Sequence, residues 1–229
     1  METDLKKNKK SRLKKLIRWL IIDLVVVAIV FALLLYTPGR YNPIDSKSFE
    51  EGEISPYLTN QLSPAIYNGA QLARPYDITV TQDGLNDIIA RGSWPMASEG
   101  VMLYAPAALF VPGKLVLMGT ADAKGVEFIV TIEIEPVINE EGLLHLNVSK
   151  IKVGAMNITP LAKIAAKKMY TQQIASVRVN TKALQTKIVA SLLNDEPFDP
   201  IFKIDGKKVR IEKITIENEK LSAHLVPAS

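Results

Sequence analysis

The chain contains no cysteine, only two histidines and few aromatic residues, 7% of its 229 residues. The absence of cysteine excludes disulfides, thiolate zinc sites, thiolate iron–sulfur clusters and a cysteine nucleophile. Two histidines leave little for a histidine-based metal centre. The sequence also lacks the glycine-rich phosphate loops and the H-E-x-x-H and G-x-S-x-G motifs. We therefore predict a chain that is not an enzyme and that holds no metal and no cofactor.

Positive charge is concentrated at the N-terminus. The formal net charge is +4, and residues 1–19 alone hold eight basic and two acidic residues. Residues 37–229 hold 20 basic and 21 acidic residues, so the bulk of the chain is nearly neutral. Nucleic-acid binding requires a basic patch on a folded domain. We therefore predict no nucleic-acid partner.

An apolar run of 17 residues extends from Leu20 to Tyr36. As a helix it rises about 25 Å, close to the hydrocarbon thickness of about 30 Å. Trp19 and Tyr36 bracket the run, as interfacial aromatic residues do, so we predict a transmembrane helix over 20–36. Asp23 is the only charged residue in the run. We interpret it as a carboxyl group close to the cytoplasmic interface, with a contact to another membrane helix as the alternative.

The apolar run differs from a cleaved signal peptide. It is longer than the usual apolar region of about 7–15 residues, and no small-x-small cleavage site precedes Pro38. The basic arm predicts that the N-terminus is cytoplasmic. We predict a single-pass cell-membrane protein with a cytoplasmic arm (1–19), a transmembrane helix (20–36), a tether (37–55) and an extracytoplasmic domain (56–229).

The exported part alternates between strand and helix patterns. Apolar and polar residues alternate most clearly from Val126 to Glu135, and Pro112-Gly113 joins two further strands. A phase change near Ser149 predicts a β-bulge and a bent sheet. Thr159 and Thr181 are each predicted to begin a helix. The predicted fold class is α+β, with one N-terminal transmembrane helix followed by a bent antiparallel sheet packed on two helices.

Two segments carry a family resemblance. They are YDITVTQDGLNDIIA at 76–90 and GLLHLNVSKIKVG at 142–154, the second followed by a helix. With the basic arm and the single span, this order resembles the YpmS-like group of bacterial single-span proteins. It is also similar in pattern to membrane-anchored members of the tubular lipid-binding (TULIP) superfamily. The resemblance covers roughly 76–173. It implies a curved sheet wrapped along a helix, an apolar groove and no catalytic residues.

The favoured function is binding of a membrane lipid or another apolar ligand in a groove between sheet and helix. The candidate lining residues are Val126, Phe128, Val130, Ile132, Leu144, Leu146, Leu161 and Ala165. The same residues are equally suited to a closed core, and only a structure separates the two interpretations.

Two alternatives stay open. In the first alternative, the chain is a scaffold or assembly factor that contacts an envelope protein through a sheet edge or through the loop that contains Trp94. Trp94 is the aromatic residue whose position the sequence pattern explains least. An enzyme with a dispersed site would require Asp77, Asp83, Asp87 and a histidine to meet in one cleft.

Overall fold

The computed structural model describes residues 2–50, 52–98, 100–176 and 184–228. Its helices are α1 (Glu2–Leu34), α2 (Ser63–Gln71), α3 (Gln82–Ala90), α4 (Thr159–Ser176) and α5 (Leu184–Asn194). A 3-10 turn covers Ser46–Ser48, and a π-helical segment, Leu58–Leu62, leads into α2. The strands are β1 (Tyr76–Thr81), β2 (Met96–Ser98), β3 (Val101–Val111), β4 (Lys114–Ala123), β5 (Val126–Ile138), β6 (Leu144–Val153), β7 (Met156–Asn157), β8 (Ile201–Ile204), β9 (Lys207–Glu217) and β10 (Lys220–Pro227).

The strands form two antiparallel sheets. The small sheet has the order β1-β10-β9-β8, and the large sheet has the order β2-β3-β4-β5-β6-β7. The α+β class and the N-terminal apolar helix are confirmed, whereas the prediction of one bent sheet is corrected to two. The reason is that β10 pairs with β1, with Leu225 opposite Tyr76. The C-terminal hairpin, formed by β9 and β10, therefore pairs with an early strand and is not part of the meander formed by β2 to β7.

Helix starts and strand phases follow local chemistry. The Thr81 hydroxyl accepts a hydrogen bond of 3.1 Å from the Gly84 N–H and so caps α3. Thr159 is the first residue of α4, as predicted, and the helix start predicted at Thr181 lies outside the described residues. The predicted bulge near Ser149 is confirmed, because the register of β5 and β6 shifts there by one residue. A second bulge lies in β9, at Glu212 opposite the step from His224 to Leu225.

The small sheet has a closed core beneath α2. Leu225 is 0% exposed, Val209 is 2% exposed and Ala70 of α2 is 4% exposed. Gly69 brings α2 very close to the sheet, since a Cβ atom at this position would lie 2.2 Å from the Tyr76 ring. The helix therefore contacts the strand directly at this position.

Helix side chains cover the outer edges of the large sheet. The short strand β2 covers only residues 101–103 of β3. Farther along β3, the Asn86 side chain of α3 donates a 2.9 Å hydrogen bond to the Ala108 carbonyl and accepts one of 2.7 Å from the Ala108 N–H. On the opposite edge, the Leu146 N–H of β6 donates a 2.9 Å hydrogen bond to the Ser191 hydroxyl of α5. These contacts occupy backbone groups that would otherwise pair with another chain.

α1 contains one segment, Lys14–Leu34, that is long and apolar enough to cross a membrane, with a mean hydropathy of 2.6. None of it is buried against the rest of the chain. The end of the segment contacts the turn between β6 and β7, where the Ala155 N–H donates a 2.8 Å hydrogen bond to the Leu33 carbonyl. The helix and the domain are thus in contact at this point.

The segment predicted as a tether, 37–55, packs on the large sheet at Tyr41. The Tyr41 hydroxyl donates a 2.6 Å hydrogen bond to the Ala105 carbonyl and lies 2.8 Å from the Thr120 hydroxyl. Burial raises the pKa of Tyr41, although the hydrogen bond with Thr120 acts in the opposite direction. This part of the segment is therefore a component of the domain.

Candidate functional site: a groove between sheet and helices

One face of the large sheet carries an apolar surface that α4 and α5 cover only in part. Residues paired across strands point to the same side, and Leu117, Ile132 and Ile151 are aligned across β4, β5 and β6. Ile134 and Val148 form the next pair on this side. Beside these residues lies an open cavity of about 260 Å³, which we call the groove.

The two helices supply the other wall of the groove. From α4 and α5, and from the residue after α5, this wall comprises Lys163, Lys167, Leu192, Leu193, Asn194 and Asp195. An apolar cavity of roughly 150 Å³ accommodates benzene, and pockets for whole small molecules measure about 300–1,000 Å³. The groove is therefore large enough for part of an apolar chain.

Two charged residues that line the groove, Lys163 and Asp195, are partly exposed, and we call this part of the groove its mouth. The Lys163 ammonium is 3.7 Å from one carboxylate oxygen of Asp195, and His145 Nε2 is 3.8 Å from the other. The side chain of Asp195 is 52% exposed, and that of Lys163 is 43% exposed, so solvent screens this pair. An apolar floor with a charged mouth is suited to an amphipathic molecule.

The eight predicted lining residues fall into three groups: one borders the groove, five lie beside it on the sheet, and two lie on α4. Ile132 lines the groove. Five others lie on the same sheet side but outside the groove itself: Val126, Phe128, Val130, Leu144 and Leu146. Of these, Val126 is 39% exposed and Leu144 is 5% exposed, so this side grades from open surface to closed core.

The two predicted helix residues lie elsewhere. Leu161 is 70% exposed and Ala165 is also exposed, and neither lines the groove. At about 100° per residue, they lie on the side of α4 opposite Lys163 and Lys167. The structure therefore places them away from the groove, because α4 turns its lysines, and not its leucine, toward it.

Sequence reasoning missed part of the lining. Val148 and Ile151 reach the groove together because the bulge at Ser149 brings residues three apart to one side. The phase change near Ser149, which predicts the bulge, was the sequence signal that could have placed both residues on one side of the sheet. The two lysines carried no such signal, since lysines in a helix are normally expected on its solvent-exposed side.

Trp94 lies at a second cleft, on the other side of the large sheet. This cleft measures about 690 Å³ and includes Trp94, Met102, Tyr104 and Glu127. The Trp94 indole N–H donates a 2.6 Å hydrogen bond to the Ile89 carbonyl, so the ring is half-buried and held in place. A hydrogen bond to Glu127, together with desolvation, raises the pKa of Tyr104 to about 12.

Two aspartates of the enzyme alternative, Asp77 and Asp87, have separate partners. The Asp77 carboxylate is 2.7 Å from His224 Nδ1 on the surface of the small sheet. The Asp87 carboxylate instead accepts hydrogen bonds from Ser55 and Arg91. Burial alone would raise the pKa of Asp87, but these hydrogen bonds and the charge of Arg91 outweigh burial and lower the pKa.

Within the described residues, no group of three or more histidine, aspartate or glutamate side chains is arranged to hold a metal ion. Comparison with protein-family models, with curated proteins and with solved structures finds no match for this chain. The resemblance to YpmS-like and tubular lipid-binding proteins therefore stays a prediction, and the groove is the observation from which a function is argued.

Proposed function

We propose that this chain is a membrane-anchored, non-enzymatic protein that binds the apolar chain of a lipid in the groove. The observation that carries the proposal is the open cavity of about 260 Å³ beside Ile132, Ile134 and Ile151. Apolar side chains aligned across three strands are normally covered completely, because each buried CH₂ stabilises the fold by about 0.8 kcal/mol. A cavity left at this position provides binding energy for an apolar ligand.

The location in the proposal rests on α1 and on the basic arm. The segment Lys14–Leu34 has the length and hydropathy of a membrane span. Residues 1–19 hold eight basic residues, which favours retention of the N-terminus in the cytoplasm. In this arrangement the two sheets and the groove lie outside the cytoplasm.

The ligand chemistry follows from the wall and the mouth of the groove. The sheet side accepts methylene groups, and Lys163 at the mouth favours an acidic end over a neutral one. Lys163 already faces Asp195, so a carboxylate or phosphate ligand would compete with that side chain. We therefore propose an acyl chain with an acidic end, such as a fatty acid or an acidic phospholipid.

The test is native mass spectrometry of the full chain released from detergent micelles, combined with labelling by a photoreactive fatty acid. Ile132→Trp fills the groove, whereas Val137→Trp places the same side chain on the opposite side of β5, where Val137 is 51% exposed. We expect bound lipid and photolabel in the unmodified chain and in Val137→Trp, and loss of both in Ile132→Trp.

Equal labelling of the two variants would contradict binding in the groove. A folded Ile132→Trp protein is required for this comparison, and an unchanged far-ultraviolet circular dichroism spectrum provides that control. The position of the photolabel gives a further criterion, since it is expected within peptides that contain β5, β6 or α4.

A second candidate function is contact with an envelope protein at the Trp94 cleft. Met96 is 53% exposed and Met102 is 45% exposed near this cleft, and β2 is an edge strand. Flexible methionine side chains are common at binding surfaces. A photocrosslinker at position 96 that captures no envelope protein in living cells, while one in α1 captures lipid, would count against this candidate.

A further inference from the structure

The outward side of α4 has an unusual composition for a helix exposed to water. Leu161 and Ile164 are each 70% exposed. Ala165 and Lys168 are exposed as well. These four positions are spaced as i, i+3, i+4 and i+7, so they form one continuous stripe. We call this the outer stripe of α4.

The charge of α4 has one sign. Its 18 residues include three lysines, Lys163, Lys167 and Lys168, and no acidic residue. Lys163 and Lys167 line the groove, whereas Lys168 lies on the outer stripe itself. A lysine beside exposed apolar side chains is suited to a membrane interface, where its stem extends along the apolar layer and its ammonium group reaches the lipid head groups. A surface of anionic lipids complements this charge.

The outer stripe begins close to the end of α1. The Ala155 N–H donates a 2.8 Å hydrogen bond to the Leu33 carbonyl, and a Cβ atom at Gly154 would lie 2.3 Å from the Leu33 and Leu34 carbonyl oxygens. Leu161 follows Ala155 by only six positions, which span at most about 20 Å along the chain. The outer boundary of the membrane span is therefore near α4.

We propose that the outer stripe of α4 lies on the anionic outer surface of the membrane that α1 spans, with Leu161 and Ile164 inserted among the lipid head groups. This inference rests on the proposed role of α1 as an anchor. α4 would then have the groove on one side and the lipid surface on the other. Such a position would give lipids a direct route to the mouth of the groove.

The chain has no cysteine, so single cysteines can be labelled in the full-length protein. We would place an environment-sensitive fluorophore at L161C, I164C, L24C in α1 and K213C in the small sheet, in vesicles of phosphatidylcholine and phosphatidylglycerol. Quenching by lipids with a nitroxide in the head group or deep in the acyl chain measures the depth of each label. L161C and I164C should be quenched by the head-group nitroxide and L24C by the deep nitroxide.

The label at K213C serves as the exposed control and should be quenched least. Vesicles without phosphatidylglycerol should weaken quenching at 161 and 164 but not at 24. Quenching at 161 and 164 no stronger than at 213, with L24C still quenched by the deep nitroxide, would overturn the lipid contact and leave the anchor intact. A label at 24 that stays exposed to water would overturn both.

Discussion

The two sheets of this protein cover their apolar sides in different ways. In the small sheet, α2 approaches so closely that Gly69 lies against the Tyr76 ring, and Leu225 is 0% exposed. In the large sheet, α4 presents Lys163 and Lys167, and a cavity of about 260 Å³ remains. The contact in the small sheet is made at a glycine, whereas the corresponding positions of α4 carry long charged side chains.

Under the proposed function, the two regions have different roles. A closed core stabilises the fold, since the packing density of protein interiors leaves little unfilled space. A groove gives up part of that stabilisation and retains apolar surface that a ligand can cover. We therefore expect substitutions in the small sheet to change the free energy of unfolding and substitutions around the groove to change binding.

The largest effect is expected for Leu225→Ala. Leu225 is fully buried, and its truncation removes apolar contacts and leaves a cavity, at a cost of about 3 kcal/mol in the free energy of unfolding. Leu161→Ala is the matched control, because Leu161 is 70% exposed and the same change there should cost less than about 0.5 kcal/mol. Denaturant unfolding in detergent measures both. Similar costs for the two variants would contradict the closed core.

A smaller effect is expected for Gly69→Ala, which tests the close approach of α2. The added methyl group meets the Tyr76 ring at 2.2 Å, and overpacking of this kind costs about 1–3 kcal/mol. The higher helix propensity of alanine recovers up to about 1 kcal/mol, so we expect a net destabilisation of about 1–2 kcal/mol. Gly39→Ala is the control, since no atom lies within 4 Å of a Cβ atom at that position. A stabilised Gly69→Ala protein would show that α2 can move away without loss.

Local patterns predict the elements of this fold better than their partners. Thr81 and Thr159 mark helix starts, and the phase change at Ser149 marks a bulge, because these features depend on residues close in sequence. The pairing of β1 with β10 joins residues as far apart as Tyr76 and Leu225. No local period contains that information, so the sequence pattern predicts one sheet where two form.

The same limit applies to the candidate site. Ile132 borders the groove, and strand alternation identifies its side of β5. Leu161 lies away from the groove, whereas hydrophobic spacing assumes that the apolar stripe of a helix faces the protein. α4 carries apolar residues on its exposed side and lysines toward the groove, so its rotation depends on its surroundings. A membrane surface beside α4 would account for that reversal.

The smallest effect is expected for Lys163→Met, which tests whether the charge at the groove mouth selects the ligand. Methionine retains an unbranched apolar stem, so the wall of the groove is preserved while the ammonium group is removed. Partly exposed charge pairs contribute about 0.2–1 kcal/mol, so the unmodified chain should prefer a fatty acid over the corresponding alcohol by about threefold. Competition of the two compounds against a photoreactive fatty acid measures this ratio.

In Lys163→Met the preference should fall to about equal affinity, with the affinity for the alcohol unchanged. Lys168→Met is the matched control, because Lys168 lies on the outer stripe and its removal should leave the ratio as it is. A threefold ratio that stays the same in Lys163→Met would mean that a group other than Lys163 recognises the acidic end of the ligand, and it would contradict the proposed role of Lys163. A fall in both affinities would instead indicate that Lys163 keeps α4 away from the sheet, so that removing its charge lets the helix close the groove as α2 closes the small sheet.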